Sequence, residues 1–382
     1  MSFPALVEPG PALTGPELAR YARHLLLPDL GELGQRRLRA ARVLVVGAGG
    51  LGSPVVAYLT AAGVGTIGIV DDDRVELSNL QRQVIHPADA VGEPKTVSAA
   101  RTVRALDPAT VVEQHPVRLT PENVDDIVAG HHLVIDGSDN FETRYLVDAA
   151  CARAGIPDVW GSVLRMEGMV SVFWTDRGPR YIDLHPQAPP PGAVPSCAEG
   201  GVLGALCGTI GTLMATQAVL LICGIGKPLV GRLIVHDALD GETRTVPLGA
   251  RTGSRRTPAG DVAALESSPE PAEQPVPLVQ PAALRDALLS SHPPLLVDVR
   301  EPAERLIVSI DGAVAMTADA LVTSARDGSV GADRQIVVLC RSGVRSAAAA
   351  RRVAVEAGRS ASSLDGGILR WIAEVDPSLP RY

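Results

Sequence analysis

Residues 42–65 read RVLVVGAGGLGSPVVAYLTAAGVG. A short aliphatic run with β propensity passes into a glycine-rich turn and then into apolar residues at helical spacing, so the stretch predicts strand, turn and helix. A second apolar strand, TIGIVD, follows at 66–71. Lys95–Leu106 has a helical pattern, Thr110–Gln114 reads as a strand, 121–129 as a short helix and His132–Asp136 as another apolar strand. Strands alternating with helices build a parallel, doubly wound α/β sheet.

The turn carries Gly47, Gly49, Gly50 and Gly52. A helix start without side chains offers backbone N–H groups and a positive dipole end to a phosphate. The next strand ends in Asp71-Asp72-Asp73, where a carboxylate suits a ribose hydroxyl, so a nicotinamide-dependent oxidoreductase is one reading. Ser78, Asn79, Leu80, Gln81, Arg82 and Lys95 favour another, because they set polar and basic groups beside the phosphates. Hydride transfer has no need of that charge; attack on an α-phosphate with loss of pyrophosphate does. Asp136-Gly137-Ser138-Asp139-Asn140 supplies a third acidic strand end, where a carboxylate suits Mg²⁺ held against a triphosphate.

Beyond Asn140, ETRYLVDAACARAG reads as a helix and DVWGSVLRMEGMVSVFW as two strands; GRLIVHDALDGETRTVPL reads as a hairpin around Asp240-Gly241. Between them Gly200–Gly226 is uncharged and long enough to span a bilayer. Thr209, Thr212, Thr216, Gln217 and internal glycines interrupt it, and no basic cluster flanks it, so a buried helix is expected and no membrane partner. The 382 residues are 46% hydrophobic but only 3% aromatic, which predicts a core of Ala, Val, Leu and Ile. A formal charge of −8 argues against nucleic acid as a partner. Five cysteines without framework spacing, behind an N-terminus with no basic-then-apolar segment, predict reduced thiols and a cytoplasmic protein.

The string RVLVVGAGGLGSPVVAYLTAAGVGTIGIVDDDRVELSNLQRQVIH, with GEPK, DGSDNFETRY and PSCAEGGVLG after it in order, resembles the MoeB/ThiF family of ubiquitin-activating-type adenylyltransferases. The resemblance implies a Rossmann-like ATP-binding domain that adenylates the C-terminal glycine of a small ubiquitin-like sulfur carrier protein ending in Gly-Gly. By the same resemblance Gly50 lies in the phosphate turn, Asp71 takes the ribose, Asn79 and Arg82 contact the nucleotide and Lys95 the phosphates. Asp139 serves Mg²⁺ and the acyl phosphate, with Asn140 beside it. Within Arg20-Tyr21-Ala22-Arg23, Arg23 matches the arginine that reaches across a homodimer to the partner's ATP. Cys197 matches a loop cysteine able to attack the adenylate or resolve a persulfide adduct. Many relatives bind zinc through two C-x-x-C pairs; here no such pair exists and one position reads YIDLHP, so no zinc site is expected. Asp148 stands where the family often has asparagine.

From Gly249 to Gln280 the composition turns to Pro, Ala, Glu, Ser and Thr without apolar period, which reads as a linker between a first domain at 1–248 and a second at 281–382. In the second, LLVDV (295–299) and IVVLC (336–340) read as strands, and 281–290 and 346–357 as helices. Cys340-Arg341-Ser342-Gly343-Val344-Arg345-Ser346 joins a strand to a helix, so backbone N–H groups wrap the sulfur, and Arg341 and Arg345 are expected to favour its thiolate. A cysteine phosphatase needs C-x₅-R, whereas Cys340 to Arg345 is C-x₄-R. With Asp298-Val299-Arg300-Glu301 and Asp365-Gly366-Gly367-Ile368, the loop resembles that of a rhodanese domain; Val308-Ser309-Ile310 departs from the family's usual Gly-His-Ile. Cys340 is then the residue expected to carry sulfur from a cysteine desulfurase or thiosulfate, while Cys151, Cys207 and Cys223 lie on apolar helix faces as packing residues. The expected whole is a homodimeric adenylyltransferase and sulfurtransferase whose linker gives the small domain reach; a non-catalytic scaffold for carriers and donors is the alternative.

Overall fold

The computed structural model describes residues 3–189, 200–249, 276–330 and 334–381. The chain forms two compact units.

In the first unit β1 (Arg42–Val46), β2 (Thr66–Val70), β3 (Val111–His115), β4 (Leu133–Asp136), β5 (Asp158–Leu164), β6 (Glu167–Phe173), β7 (Arg232–Asp237) and β8 (Thr243–Pro247) make one sheet in the order β3-β2-β1-β4-β5-β6-β7-β8. Pairing is parallel from β3 to β5 and antiparallel from β5 to β8. The chain leaves β1 towards β2 and β3 and then returns to lay β4 on the other side of β1. Such a reversal opens a crevice at the carboxyl ends of β1 and β4, and Gly47 and Gly137 stand there. Val43, Leu44 and Val45 are fully buried, as are Leu133, Val134 and Ile135, so both faces of these central strands are covered.

The long uncharged segment forms the Gly204–Cys223 helix, apolar and long enough to cross a membrane by composition alone. It packs as a core helix: Leu206, Ile210, Met214, Ala218, Leu221 and Ile222 join the cluster that includes Val55, Val56 and Leu59. Gly211 explains the close approach, because a Cβ there would lie 2.4 Å from Pro54 Cγ and 2.6 Å from the Leu51 carbonyl oxygen. Gln217, buried, accepts at 2.9 Å from the Leu229 N–H, and the three threonines bond back to their own helix backbone.

The second unit is a five-stranded parallel sheet in the order β11-β10-β12-β13-β9, from β9 (Leu278–Val279), β10 (Leu295–Asp298), β11 (Val314–Ala315), β12 (Ile336–Leu339) and β13 (Ala361–Leu364). Its first strand, β9, lies inside the stretch read as linker: the Ser363 N–H donates to the Pro277 carbonyl and the Asp365 N–H to that of Val279. Two residues of edge strand are too short for a periodicity to register, which is why composition alone assigned them to the linker. The rest of that stretch, 250–275, lies outside the described residues, as does Cys197.

Candidate active sites in the two units

β1 delivers the chain to Gly47, whose φ of +90° belongs to glycine. Its N–H donates to the Val70 carbonyl at 2.8 Å, and the Gly137 N–H donates to that of Val46 at 3.0 Å. Gly52 opens the following helix with no room for a side chain, since a Cβ would meet the Gly47 carbonyl oxygen at 1.8 Å. Two side chains hold the peptide between them. Asp71 Oδ2 accepts from the Ala48 N–H at 2.8 Å, and His86 Nε2 lies 2.9 Å from the Ala48 carbonyl oxygen. His86 Nδ1 is 2.9 Å from Ser98 Oγ. Burial pushes this imidazole's pKa down, against the Ala48 hydrogen bond, so the neutral ring donates from Nε2 and receives the Ser98 hydroxyl at Nδ1. His86 is a turn-positioning residue that no spacing in the sequence pointed to.

The segment 78–83 roofs the turn. Arg82 donates from a terminal nitrogen to the Ser78 carbonyl at 3.1 Å, and its Cγ and Cδ lie 3.4 Å from where a Gly50 Cβ would be. Cys207 Sγ reaches the same point at 3.0 Å, and Gln83 Nε2 lies 3.7 Å from the corresponding point on Gly49. Asn79 Oδ1 accepts from the Glu76 N–H at 3.2 Å, while the backbone oxygen of Gln81 sits 2.2 Å from a Cβ built on Gly204. Leu80 is half-buried and Ser78 and Gln81 are exposed.

Lys95, expected at the phosphates, is buried with Nζ 2.7 Å from Asp73 Oδ2 and 3.9 Å from Asp71 Oδ1. Burial raises the Asp71 pKa and the Lys95 charge opposes that rise. Asp71, the residue after β2, therefore serves the turn itself through Ala48. Asn140, expected beside the reacting groups, caps the Phe141–Ala154 helix by accepting from the Thr143 N–H at 2.9 Å. Asp139 is exposed and, among the described residues, makes no hydrogen bond or ion pair. In the N-terminal arginine element, Arg20 donates to the Leu106 carbonyl at 2.7 Å and Arg23 is exposed.

Behind Asp139 the covering helix carries polar groups into the core. Asp148 receives two hydrogen bonds from Arg180, at 3.2 and 2.9 Å, and one from the Tyr181 N–H at 2.8 Å. Burial raises the Asp148 pKa and Arg180 opposes it. Tyr181 opens the helix at the YIDL position and packs among Tyr145, Trp160, Phe173 and His185. A buried ion pair and an aromatic cluster thus meet at the YIDL segment. Among the described residues, the one group of three metal-ligating side chains is Asp71, Asp72 and Asp73, with no cysteine in it. Burial, reinforced by neighbouring aspartates, raises the Cys151 thiol pKa, and burial takes that of Cys223 to about 11. Both remain protonated packing residues at neutral pH.

The second unit builds its site from one loop. Cys340 follows β12 and is fully buried; the Gly343 N–H donates to its Sγ at 3.2 Å and the Ser346 hydroxyl at 3.4 Å. Gly343 has φ +100° and begins the Val344–Ala357 helix. Ser346 Oγ lies 2.7 Å from Ser363 Oγ of β13, and both serines are fully buried. The carbonyl oxygens of Cys340 and Arg341 accept from Ile368 and Leu369 at 2.9 and 3.2 Å, and Gly367 leaves space for them, since a Cβ there would be 2.5 Å from each. The Asp365–Ile368 signature is therefore the loop's floor. Asp298 and Arg300 form a buried ion pair at 2.6 Å, and Arg300 donates to the Val308 carbonyl at 2.9 Å. Arg345 donates from its two terminal nitrogens to both oxygens of Glu304, at 2.8 and 2.7 Å. Glu304 lies far from the loop in sequence, and only the fold brings it in.

The ThiF family model matches residues 21–256 and the rhodanese-like domain model residues 281–374. A probable adenylyltransferase/sulfurtransferase MoeZ of Mycobacterium tuberculosis is 46% identical over 393 residues, covering 100% of this chain and 99% of that protein. A sulfur carrier protein adenylyltransferase of Thermus thermophilus is 50% identical over 253 residues, covering 65% and 93%. Among solved structures, E. coli MccB with MccA-N7isoASN superposes with a TM-score of 0.56 at 19% identity, over 62% of this chain and 75% of that one, which supports the fold alone. The chain belongs to the ThiF family, carries a rhodanese-like domain, and is an adenylyltransferase and sulfurtransferase.

Proposed function

We propose that this enzyme adenylates the C-terminal glycine of a small ubiquitin-like sulfur carrier protein ending in Gly-Gly and then converts it to a thiocarboxylate. What carries the reading is the pairing, on one chain, of a glycine turn packed on Gly137, two residues before an exposed Asp139, with a buried Cys340 that already receives two hydrogen bonds at sulfur. ATP would lie on the turn of Gly47, Gly49, Gly50 and Gly52, with its ribose towards Asp71. Lys95, Asn79 and Arg82 would lie alongside the phosphates. An exposed carboxylate with no internal partner is the donor Mg²⁺ takes, so Asp139 would hold that ion, whose charge offsets that of the triphosphate. Arg23, exposed where Arg20 is committed, would serve the partner's nucleotide in a homodimer.

The carrier's carboxylate oxygen attacks the α-phosphorus and pyrophosphate leaves. A persulfide on Cys340 then attacks the acyl carbon, and AMP leaves. Cys197 would attack the Cys340 sulfur of the resulting acyl disulfide, releasing thiocarboxylate and leaving a Cys197–Cys340 disulfide for a cellular thiol to reduce. The sulfane sulfur would come from a cysteine desulfurase or thiosulfate, and cysteines without framework spacing suit a cytoplasmic setting. ATP–pyrophosphate exchange against a panel of carriers, followed by intact mass, is the test: one carrier should stimulate exchange and gain one sulfur in place of oxygen. No stimulation by any Gly-Gly carrier would leave the scaffold reading.

A further inference from the structure

Three arginines are buried among the described residues: Arg144, Arg180 and Arg300. Arg180 is paired with Asp148 at 2.9 Å and Arg300 with Asp298 at 2.6 Å. Arg144, 8% exposed, has no ion pair among the described residues. Its hydrogen-bond acceptors are neutral oxygens. Nε and one terminal nitrogen donate to the Ser138 carbonyl at 3.3 and 3.1 Å, and that terminal nitrogen also donates to Ser162 Oγ at 3.3 Å. The rings of Phe141 and Trp160 lie against it, with centroids 5.1 and 5.7 Å from Cζ. The neighbouring carboxylates are turned elsewhere: Asp136 Oδ1 accepts from the Ser138 N–H at 2.9 Å, and Glu142 binds Arg118 at 2.7 Å. Burial raises the Asp136 pKa and the Arg144 charge opposes that rise, yet the two form no ion pair. A guanidinium cannot shed its proton to escape burial, so an anion brought to Arg144 would supply a counter-charge that the chain itself does not.

The position of Arg144 selects the anion. Register sets Asp136 of β4 against Trp160 of β5, so Ser162 is level with Ser138 at the carboxyl end of the sheet, and Asp139 follows directly. The glycine turn comes after β1, on the other side of β4. Asp139 therefore stands between the turn assigned to the nucleotide and Arg144. Phe141, Ser162 and His185 are half-buried around the guanidinium, which lies just beneath the surface. The positive end of the Phe141–Ala154 helix is at the same place. We propose that Arg144 binds the C-terminal carboxylate of the carrier protein and aims it at the α-phosphorus. This rests on the reading of the first unit as a carrier-adenylating site. One carboxylate oxygen forms the new bond to phosphorus while the bond from phosphorus to pyrophosphate breaks. The other oxygen stays with Arg144 and becomes the carbonyl of the acyl adenylate. The negative charge departs with pyrophosphate, so the pairing is strongest before reaction, when orientation is needed. A planar fork suits a planar carboxylate, and a terminal glycine has no side chain to meet the two rings.

Calorimetry on the full chain with a non-hydrolysable ATP analogue compares a Gly-Gly carrier bound as its free acid and as its C-terminal amide. Wild type should prefer the acid by about 10–100-fold, the usual weight of a charge-assisted pair. Arg144→Gln should bind acid and amide alike, and Arg144→Lys, which keeps the charge but not the fork, should fall between. In ATP–pyrophosphate exchange, Arg144→Gln should raise KM for the carrier about tenfold and leave KM for ATP within about twofold. A merely structural role would raise both KM values together and leave the preference for the acid intact. Equal binding of acid and amide by wild type overturns the inference, and so does an undiminished preference in either variant. The wild-type comparison and Arg144→Lys keep the test decisive where Arg144→Gln does not fold. If folded wild type binds neither form and no Gly-Gly carrier stimulates exchange, the underlying reading of the first unit falls instead.

Discussion

The glycine turn of the first unit and the Cys340 loop of the second both follow a strand and open a helix, yet they are held in opposite ways. The turn is short of space and borrows its supports: Asp71 from β2, His86 from the following loop, Gly137 from β4 and Cys207 from a helix far along the chain. The loop largely organises itself, with Gly343 and Ser346 donating to a sulfur three and six residues back. A site assembled from many elements is sensitive to any of them; a site within one loop is sensitive mainly to its own residues.

The largest expected effects separate the two halves. Asp139→Ala should lower ATP–pyrophosphate exchange by about 10²–10³-fold while sparing persulfide formation on Cys340. Cys340→Ala should abolish thiocarboxylate while exchange persists. Loss of exchange in Cys340→Ala, or its survival in Asp139→Ala, would show that the two sites do not divide the chemistry in this way.

Supports next. Asp148→Asn removes the charge set against buried Arg180, which should cost the first unit about 3 kcal/mol, read as a lower melting transition for that unit. Gly52→Ala should cost about 3 kcal/mol as well, because the methyl and the Gly47 carbonyl cannot share the space, and should remove ATP binding. Gly343→Ala meets backbone strain rather than a collision that close, about 1–2 kcal/mol, measurable by denaturant unfolding. If both alanines cost the same, crowding is not what distinguishes the turn from the loop.

Within the loop, Ser346→Ala removes one of the two donors to sulfur and should slow Cys340 alkylation at neutral pH about tenfold, the equivalent of about 1.5 kcal/mol. An unchanged alkylation rate would assign the sulfur's environment to the backbone alone.

The smallest effect is acid sensitivity. In the first unit His86, His131, His132 and His185 all have pKa values pushed down by burial. A histidine whose folded pKa lies below its unfolded value of about 6.5 binds more protons unfolded. Its contribution is present above that pH and is lost as pH falls towards the folded value. The first unit's melting temperature should therefore fall below about pH 6.5 while the second unit's falls less, followed by calorimetry across pH.

Much of this was legible in local pattern. The β1 strand, the Lys95–Leu106 helix and the Asp240-Gly241 hairpin needed only periodicity and turn chemistry, because each is decided by residues within a few positions. Illegible were His86 under Ala48, Arg180 against Asp148 and Glu304 on Arg345, because a long-range polar pair leaves no period in either partner's neighbourhood. The two-residue strand β9 was missed for want of length.

By itself the sequence determined which residue types stand where chemistry could occur: glycines in a strand-to-helix turn, acids at strand ends, and a cysteine before a helix. Those choices follow from what glycine, carboxylate and thiol are. Tertiary structure alone decided which charges remain available. It spent Arg345 on Glu304 and Lys95 on Asp73, and it left Asp139 exposed. The reason is physical: a formal charge belongs to a residue, but its effect on a ligand depends on the nearest opposite charge and the surrounding dielectric, and folding sets both.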